Sequence, residues 1–208
     1  MIIDKNSCIL LGKKLKGKFY TIGVTGHRDL QQKCISYYER KVYELLQKLQ
    51  KEYKNLLLYT PLAEGADRLL TKEALKLHIP FEVVLPMPEE IYAIDFDTES
   101  KREFYYLMNK AKKVTVVPLC NGCTIESISV YGQDRDMQYE AVGKVISDIS
   151  DTLIALWDGK NIGLKGGTGE IVNYYLKKDN HKMYHLNVSR SKDITNTMID
   201  FKIYENSS

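Results

Sequence analysis

The stretch from Leu153 to Val172 reads LIALWDGKNIGLKGGTGEIV and decides how the chain folds. An apolar run ends at Trp157, five glycines follow within the eleven residues 159–169, and helical spacing of apolar residues then resumes. Glycine inside a structured segment costs conformational entropy, so it is retained where the backbone needs positive φ or a close approach. The stretch therefore predicts a strand, a loop with bare backbone amides, and a helix.

Strand-like and helix-like segments alternate along the rest of the chain. Predicted strands cover residues 19–24, 56–59, 81–85, 114–117, 152–157 and 183–188, and predicted helices cover residues 31–53, 66–77, 98–112, 136–150 and a segment ending near 178. Such alternation is typical of βαβ units. We predict an α/β fold with a mainly parallel sheet of about six or seven strands, and with an edge strand within residues 199–203.

Composition excludes several classes of protein. The chain has 208 residues, of which 44% are apolar and 27% charged, with a formal net charge of +3. These values are ordinary for one globular domain, and we expect its core to span about residues 19–188 of the domain 1–208, with short terminal extensions. The interspersed charges disfavour a nucleic-acid groove, and no apolar run matches a membrane span. We expect a cytoplasmic protein with neither a membrane nor a nucleic-acid partner.

The four cysteines contain one pair with metal or redox spacing, Cys120 and Cys123 in the motif CNGC. A zinc site needs a second pair, and Cys8 and Cys34 are far apart in the sequence. The motif leads into the polar stretch TIESISV, which we expect to be a loop. We therefore predict free thiols and no metal site.

Glycines and polar residues follow four of the predicted strands. The segments are GVTGHRDL from residue 23, TPLAEGADRL from residue 60, LPMPEEIYAIDF from residue 85 and WDG from residue 157. In open parallel sheets, ligands bind in a crevice beyond the carboxyl ends of the strands. We expect the binding site at this edge of the sheet.

Two glycine turns at this edge have the composition of anion sites. The first consists of Gly166, Gly167, Thr168, Gly169 and Glu170, at the start of a predicted helix whose amides and dipole attract phosphate. The second consists of Thr25, Gly26, His27 and Arg28, with a guanidinium that fits phosphate oxygens. Together they predict a ligand with more than one phosphate, or with a phosphate and a sugar. The alternative is that both are tight turns whose glycines serve packing. Neither turn is a P-loop or a dinucleotide-binding fingerprint.

Further candidates follow the second and third strands. Glu64 lies outside the predicted helix, beside Gly65, and is our candidate for a ribose hydroxyl, whereas we expect Asp67 to cap the helix. Arg68 is a further phosphate-binding candidate. Asp95 either receives a hydroxyl or an adenine amino group, or lies in a solvated loop.

Arg135 and Tyr139 lie four residues apart and therefore on one face of a predicted helix. They either seat a phosphate and a base, or pack against a neighbouring subunit. In a purely structural interpretation, Tyr139 is partly buried and Arg135 pairs with Glu140 or Asp136. Asp158, at the end of the fifth predicted strand, is a candidate acceptor for a ligand hydroxyl.

Taken together, these motifs resemble the SLOG superfamily, a Rossmann-like group that contains DprA-like, LOG and bacterial immune-sensor domains. The likeness extends from Tyr20 to Val188 and rests on GVTGHRDL, LAEGADRL, LPMP…Y…DF, R…Y…G at 135–143, and SDTLIALWDG followed by GGTGEIV. The resemblance implies a doubly wound fold that binds nucleotides or nucleotide-derived ligands. Defence proteins of this kind sense a cyclic or linear nucleotide, often one derived from NAD, and switch an effector.

The LOG enzymes of this superfamily remove the base from a nucleoside 5′-monophosphate and carry PGG-x-GT-x-x-E, with a catalytic glutamate. In this chain the glycine pair falls on Gly166 and Gly167, Lys165 takes the proline position, Glu170 the threonine position and Asn173 the glutamate position. An amide does not replace a carboxylate as an acid or base. The hydrolase interpretation is thereby weakened, with Glu170 or Glu64 as its remaining acid–base candidates.

We therefore predict a nucleotide-binding sensor domain for antiviral defence signalling. The expected partners are a phosphorylated nucleotide, further copies of the chain in a homo-oligomer, and a separate or fused effector. The nucleotide is a signal ligand, and no cofactor or catalytic residue is expected. The alternative is a nucleotide N-glycosidase of the LOG type.

Overall fold

The computed structural model describes residues 18–160, 163, 165–193 and 199–205. The strands are β1 (Tyr20–Gly26), β2 (Leu56–Thr60), β3 (Phe81–Leu85), β4 (Lys113–Val116), β5 (Thr152–Trp157), β6 (Lys182–Asn187) and β7 (Lys202–Glu205). The helices are α1 (Ile35–Glu52), α2 (Ala66–Lys76), α3 (Glu89–Tyr92), α4 (Thr98–Met108), α5 (Ile125–Ile128), α6 (Gln133–Ile149) and α7 (Thr168–Leu176). Short 3₁₀ turns cover Gln32–Cys34 and Ala93–Asp95.

All seven of these strands form one sheet in the order β4-β3-β2-β1-β5-β6-β7. Strands β1 to β6 pair in parallel, and β7 pairs antiparallel with β6 at the edge. Connections leave β1 toward β4 on one side, and the chain then returns to β5 on the other side of β1. The predicted Rossmann-like fold class is confirmed, and the switch point lies between β1 and β5.

Helices cover both faces of the sheet, as the doubly wound prediction requires. Helices α1, α2 and α4 pack on one face, where Ile22, Val24, Ile154 and Leu156 of the two central strands are buried. Helices α6 and α7 cover the opposite face. Strand residues alternate between faces, so neighbouring positions of β5 supply both cores.

One predicted loop is wrong. Within TIESISV, Ile125–Ile128 form the short helix α5, because Thr124 and Ser127 make a reciprocal capping box at its start. Nearby, the predicted helix 98–112 ends at Met108, since the chain must turn before β4 begins at Lys113.

The described cysteines, Cys34, Cys120 and Cys123, are free thiols. Cys8 and the predicted N-terminal extension lie outside the described residues. No cluster of metal-ligating side chains is found among the residues that the structure describes. No helix in that part of the chain is both long and apolar enough to cross a membrane.

Candidate functional site

A cavity of about 320 Å³ opens at the carboxyl ends of β1 and β5, the switch point of the sheet. Its volume is within the range of small-molecule sites. The predicted residues that line it are Thr25, Gly26, His27, Arg28, Tyr139, Asp158, Gly166, Gly167, Thr168, Gly169 and Glu170. The predicted residues that do not line it are Glu64, Gly65, Arg68, Asp95 and Arg135. The glycine loop and Arg28 thus line one cavity, at the edge of the sheet where the sequence predicts the binding site.

The glycine loop reaches the cavity through the N-terminus of α7. Gly166 has φ +70°, and a Cβ there would lie 2.9 Å from the Asp136 carbonyl oxygen and from the Glu140 nitrogen, so glycine is required. The Gly166 N–H donates to Glu170 Oε2 at 2.6 Å. The Glu170 carboxylate is therefore engaged in a hydrogen bond within the loop, which does not favour a role for it as an acid or base.

The next three amides of this loop point to an anion-binding role because they have no partner in the described chain. The backbone N–H groups of Gly167, Thr168 and Gly169 donate no hydrogen bond to any other described residue, and neither does the Thr168 hydroxyl. They lie at the positive end of the α7 dipole, and all three residues line the cavity. This is the arrangement that holds a phosphate or a carboxylate at a helix N-terminus.

The turn after β1 lines the cavity, but contacts within the chain use the backbone of Gly26 and His27, as the packing alternative expects. A Cβ on Gly26 would lie 2.3 Å from Ala66 Cβ and 2.6 Å from the Leu156 carbonyl oxygen. The His27 N–H donates to the Leu156 carbonyl, and the His27 carbonyl accepts from the Ala66 N–H. These amides hold α2 and β5 against β1 and are not free for a ligand.

Arg28 is held at the cavity wall by two carboxylates. Its Nη1 donates to Asp95 Oδ2 and its Nη2 to Glu64 Oε2, each at 3.2 Å. Glu64 also accepts from the Ser100 hydroxyl and lies outside the cavity lining. In the structure, Glu64 therefore orients Arg28, and its contact with a ribose stays a prediction.

Asp95 is the centre of a buried network and is neither a solvated nor a ligand-facing residue. Its side chain is 3% exposed, and its Oδ1 accepts from Arg135 Nη2 at 2.7 Å. The Tyr139 hydroxyl donates to Oδ2 at 2.6 Å and accepts from Arg135 Nε. Burial and the Asp95 carboxylate raise the pKa of Tyr139, so its hydroxyl stays neutral and donating.

The contacts in this network give Arg135 of α6 a structural role. Arg135 is 1% exposed and donates to the carbonyls of Ile128 and Ile91 as well as to Asp95. Arg135 therefore forms a structural ion pair, but its acidic partner is Asp95 and not Glu140 or Asp136, as one interpretation of the sequence expected. Of these two residues, Tyr139 lines the cavity and Arg135 does not.

Arg68 and Gly65 are likewise structural. Arg68 is 2% exposed and donates to the Leu62 carbonyl, to Ser100 and to Glu103. A Cβ on Gly65, which has φ +69°, would lie 2.4 Å from the His27 carbonyl oxygen. Both residues hold the start of α2 against its neighbours, and neither lines the cavity.

His27 and Asp158 form a pair on the cavity wall. His27 Nε2 lies 3.0 Å from Asp158 Oδ1, and the side chains are 12% and 8% exposed. Burial works to raise the pKa of Asp158, but the neighbouring His27 ring and the hydrogen bond from the Lys160 N–H outweigh it and lower the pKa. Asp158 is therefore a carboxylate at neutral pH, available to accept hydrogen bonds.

Sequence reasoning missed Asp67 as a cavity residue. Gly65 occupies the N-cap position of α2, so the expected capping role is wrong, and the Asp67 carboxyl accepts from the Ala63 N–H at 3.1 Å. Asp67 is 4% exposed and lines the cavity. Burial raises its pKa to about 7, against the opposing effects of the Ala63 N–H, Arg28 and Arg68. Its position two residues before a run of apolar helix residues carries no signal of this.

We expect Asp67 to make the free energy of unfolding depend on pH. A carboxyl whose pKa is near 7 in the folded state and near 4 in the unfolded state stabilises the fold below pH 4 and loses that contribution as pH rises through 7. Asp67→Asn is expected to remove this dependence, which changes the free energy of unfolding by at most about 4 kcal/mol over the whole pH range. Urea denaturation at about pH 5 and about pH 8 measures it, with Asp97→Asn as an exposed control. Equal pH slopes for wild type and Asp67→Asn would contradict the assignment.

Solved structures of two proteins are similar to this chain at low sequence identity. No family model matches the sequence, and no curated protein matches it. The chain is similar to DNA processing protein A (DprA) from Streptococcus pneumoniae, with 16% identity, a TM-score of 0.49, and coverage of 81% of this chain and 50% of that one. It is also similar to SuiB from Streptococcus suis bound to S-adenosylmethionine, with 13% identity, a TM-score of 0.32, and coverage of 88% and 43%. The chain spans about half the length of these proteins.

Proposed function

We propose that the cavity binds a phosphorylated nucleoside or a related nucleotide-derived ligand. The observation that supports this most directly is the α7 N-terminus, which presents three amides to the same cavity as the carboxyl groups of Asp67 and Asp158. Amides at a helix N-terminus bind phosphate, and carboxyl groups accept hydrogen bonds from sugar hydroxyls. The switch point of a parallel sheet is the usual place for such a ligand.

Charge limits how many phosphates the cavity accepts. Arg28 pairs with Asp95 and Glu64, and Arg190 pairs with Asp29 at 3.0 Å. Both guanidiniums are therefore already neutralised by carboxylates. Of the two ligand types predicted from the sequence, a phosphate with a sugar fits this cavity better than several phosphates do.

An apolar part of the wall offers a surface for a base. Tyr139, Val142 and Ile146 of α6 and Ile171 of α7 line the cavity beside the polar groups. Aromatic and aliphatic side chains of this kind pack against a flat heterocycle, while a few polar groups fix its orientation.

We further propose that binding serves as a signal. The SLOG-like motifs imply a sensor of antiviral defence whose nucleotide-bound state acts on an effector, within a homo-oligomer or through a partner. The position of the LOG glutamate holds Asn173, and Glu170 is bonded to the Gly166 N–H, which favours sensing over turnover. The ligand in this proposal is a signal and not a cofactor.

A matched pair of variants at Thr168 tests the phosphate site. Proline is tolerated at the first position of a helix, and Gly167 has ψ 159°, which is compatible with a following proline. Thr168→Pro therefore removes one amide donor with little change to the fold, whereas Thr168→Ala removes only the hydroxyl. Calorimetry with AMP, ADP-ribose and NAD is expected to show at least tenfold weaker binding for Thr168→Pro, since a hydrogen bond to a charged group contributes about 1.5–3 kcal/mol.

Adenosine provides the control for this experiment. Its binding is expected to be the same in wild type and Thr168→Pro, because it has no phosphate, and thermal melts establish that both proteins are folded. Equal AMP affinity in wild type and Thr168→Pro would show that the phosphate does not bind at the N-terminus of α7. If none of the phosphorylated probes binds at about 1 mM, a concentration at which even weak specific ligands are detected, the proposed function is rejected.

Hydrolysis of an N-glycosidic bond is a second candidate, favoured by one observation. A buried carboxyl with a pKa of about 7 has the properties of a general acid, and Asp67 provides one on the cavity wall. Incubation with AMP followed by chromatography for adenine tests this. Adenine release that is lost in Asp67→Asn would establish catalysis in place of sensing.

A further inference from the structure

Asp67 has one carboxyl oxygen that the protein itself does not use. Oδ2 accepts the Ala63 N–H, while Oδ1 makes no hydrogen bond to any residue in the described part of the chain. The residue is 4% exposed and faces the cavity. This oxygen is therefore open to the cavity, where it can accept a hydrogen bond from a ligand group.

The start of α2 holds Asp67 rigidly at the switch point. The Ala66 N–H donates to the His27 carbonyl at 3.1 Å, and Gly26 allows Ala66 to approach β1 closely. The cavity extends from Asp67 to the amides of the α7 N-terminus. A ligand whose phosphate sits on α7 therefore reaches Asp67 with its sugar or base.

Three charged or titratable groups from neighbouring segments act on Asp67. Arg28 approaches from the end of β1, Arg68 from α2 itself, and Tyr92 from α3. The Arg28 and Arg68 charges favour the ionised carboxyl, whereas burial favours the neutral one. The two forms are thus closely balanced near neutral pH, and new hydrogen bonds from a ligand change the balance.

We propose that Asp67 recognises the vicinal hydroxyls of a ribose and loses a proton to solvent when the ligand binds. This assignment rests on the proposed function and replaces Glu64, which the chain uses to hold Arg28 and which does not line the cavity. Two hydroxyl groups donate to the carboxylate, one of them to Oδ1, so the bound form is ionised. The proton that Asp67 carries in the free protein is released, and affinity rises with pH up to about neutrality.

Calorimetry with AMP tests the proposal in buffers of different ionisation enthalpy at about pH 7. Wild type is expected to release about half a proton more per AMP than Asp67→Asn. The phosphate of AMP also titrates near this pH, but it contributes equally to both proteins, so their difference isolates Asp67. With 2′,3′-dideoxy-AMP, wild type is expected to bind about tenfold more weakly than with AMP and to lose the extra proton release.

The outcomes separate this inference from the proposed function. If AMP binds, but wild type and Asp67→Asn release equal numbers of protons and the dideoxy analogue binds as well as AMP does, the ribose assignment is overturned while phosphate binding stands. If AMP does not bind wild type, the inference fails together with this ligand class. If Asp67→Asn fails to fold in thermal melts, the comparison of AMP with its dideoxy analogue on wild type decides alone.

Discussion

Asp95→Ala is expected to lower the free energy of unfolding by about 3–5 kcal/mol, the cost of breaking a buried ion pair from one side. The substitution leaves the Arg135 guanidinium, whose side chain is 2% exposed, without its carboxylate, and it also removes the acceptor of the Tyr139 hydroxyl. Arg28 loses one of its two carboxylate partners at the same time. Urea denaturation followed by circular dichroism measures the loss.

Asp97→Ala is the matched control for this prediction. Asp97 lies in the same loop but is exposed and caps α4 by accepting from the Glu99 and Ser100 N–H groups, so its loss is expected to cost about 1 kcal/mol. A second control, Arg135→Met combined with Asp95→Ala, removes both buried charges and is expected to recover part of the stability. Equal destabilisation by Asp95→Ala and Asp97→Ala would contradict the buried network.

Gly26→Ala is expected to destabilise the protein by about 3 kcal/mol or more, because the added methyl overpacks the junction of β1, β5 and α2. Its Cβ would lie 2.3 Å from Ala66 Cβ and 2.6 Å from the Leu156 carbonyl oxygen. Both neighbours belong to backbone or to a short side chain, so neither has a rotamer that relieves the contact. Thermal and urea denaturation check the effect.

Ala66→Gly tests whether this contact is the cause. The double variant Gly26→Ala, Ala66→Gly removes one of the two close contacts and is expected to be more stable than Gly26→Ala alone, although Ala66→Gly by itself costs about 0.5–1 kcal/mol. A double variant whose loss equals the sum of the single losses would show that Ala66 is not the neighbour that excludes a side chain at residue 26.

The elements of the sheet were predictable because their signals are local. The apolar stripe of α1, with Val42, Leu45, Leu46 and Leu49, is buried as its helical period predicts. The short runs of β2 and β3 are buried at every position, as expected of central parallel strands. The helix α5 was missed because its capping box involves Thr124 and Ser127 in a segment with no apolar period.

The site was predictable in its location and only partly in its residues. Glycines and charged residues at strand ends indicate where a ligand binds in any parallel sheet, and the glycine loop and Asp158 are found on the cavity. The partners of Asp95 lie 40 and 67 residues away along the chain, so its role as the acceptor for Arg135 and Arg28 has no local signature. The same holds for Asp67, whose burial follows from packing around α2.

By itself, the sequence determined the order of strands and helices and the edge of the sheet at which the chemistry collects. Hydrophobic period and glycine placement act over a few residues and carry that information directly. Only the tertiary structure decided which charged groups are free, because pairing depends on which side chains are brought together and how far water is excluded from them. Arg28 and Glu64 are thereby occupied by partners within the chain, whereas three amides at the start of α7 and one oxygen of Asp67 have no hydrogen-bond partner among the described residues.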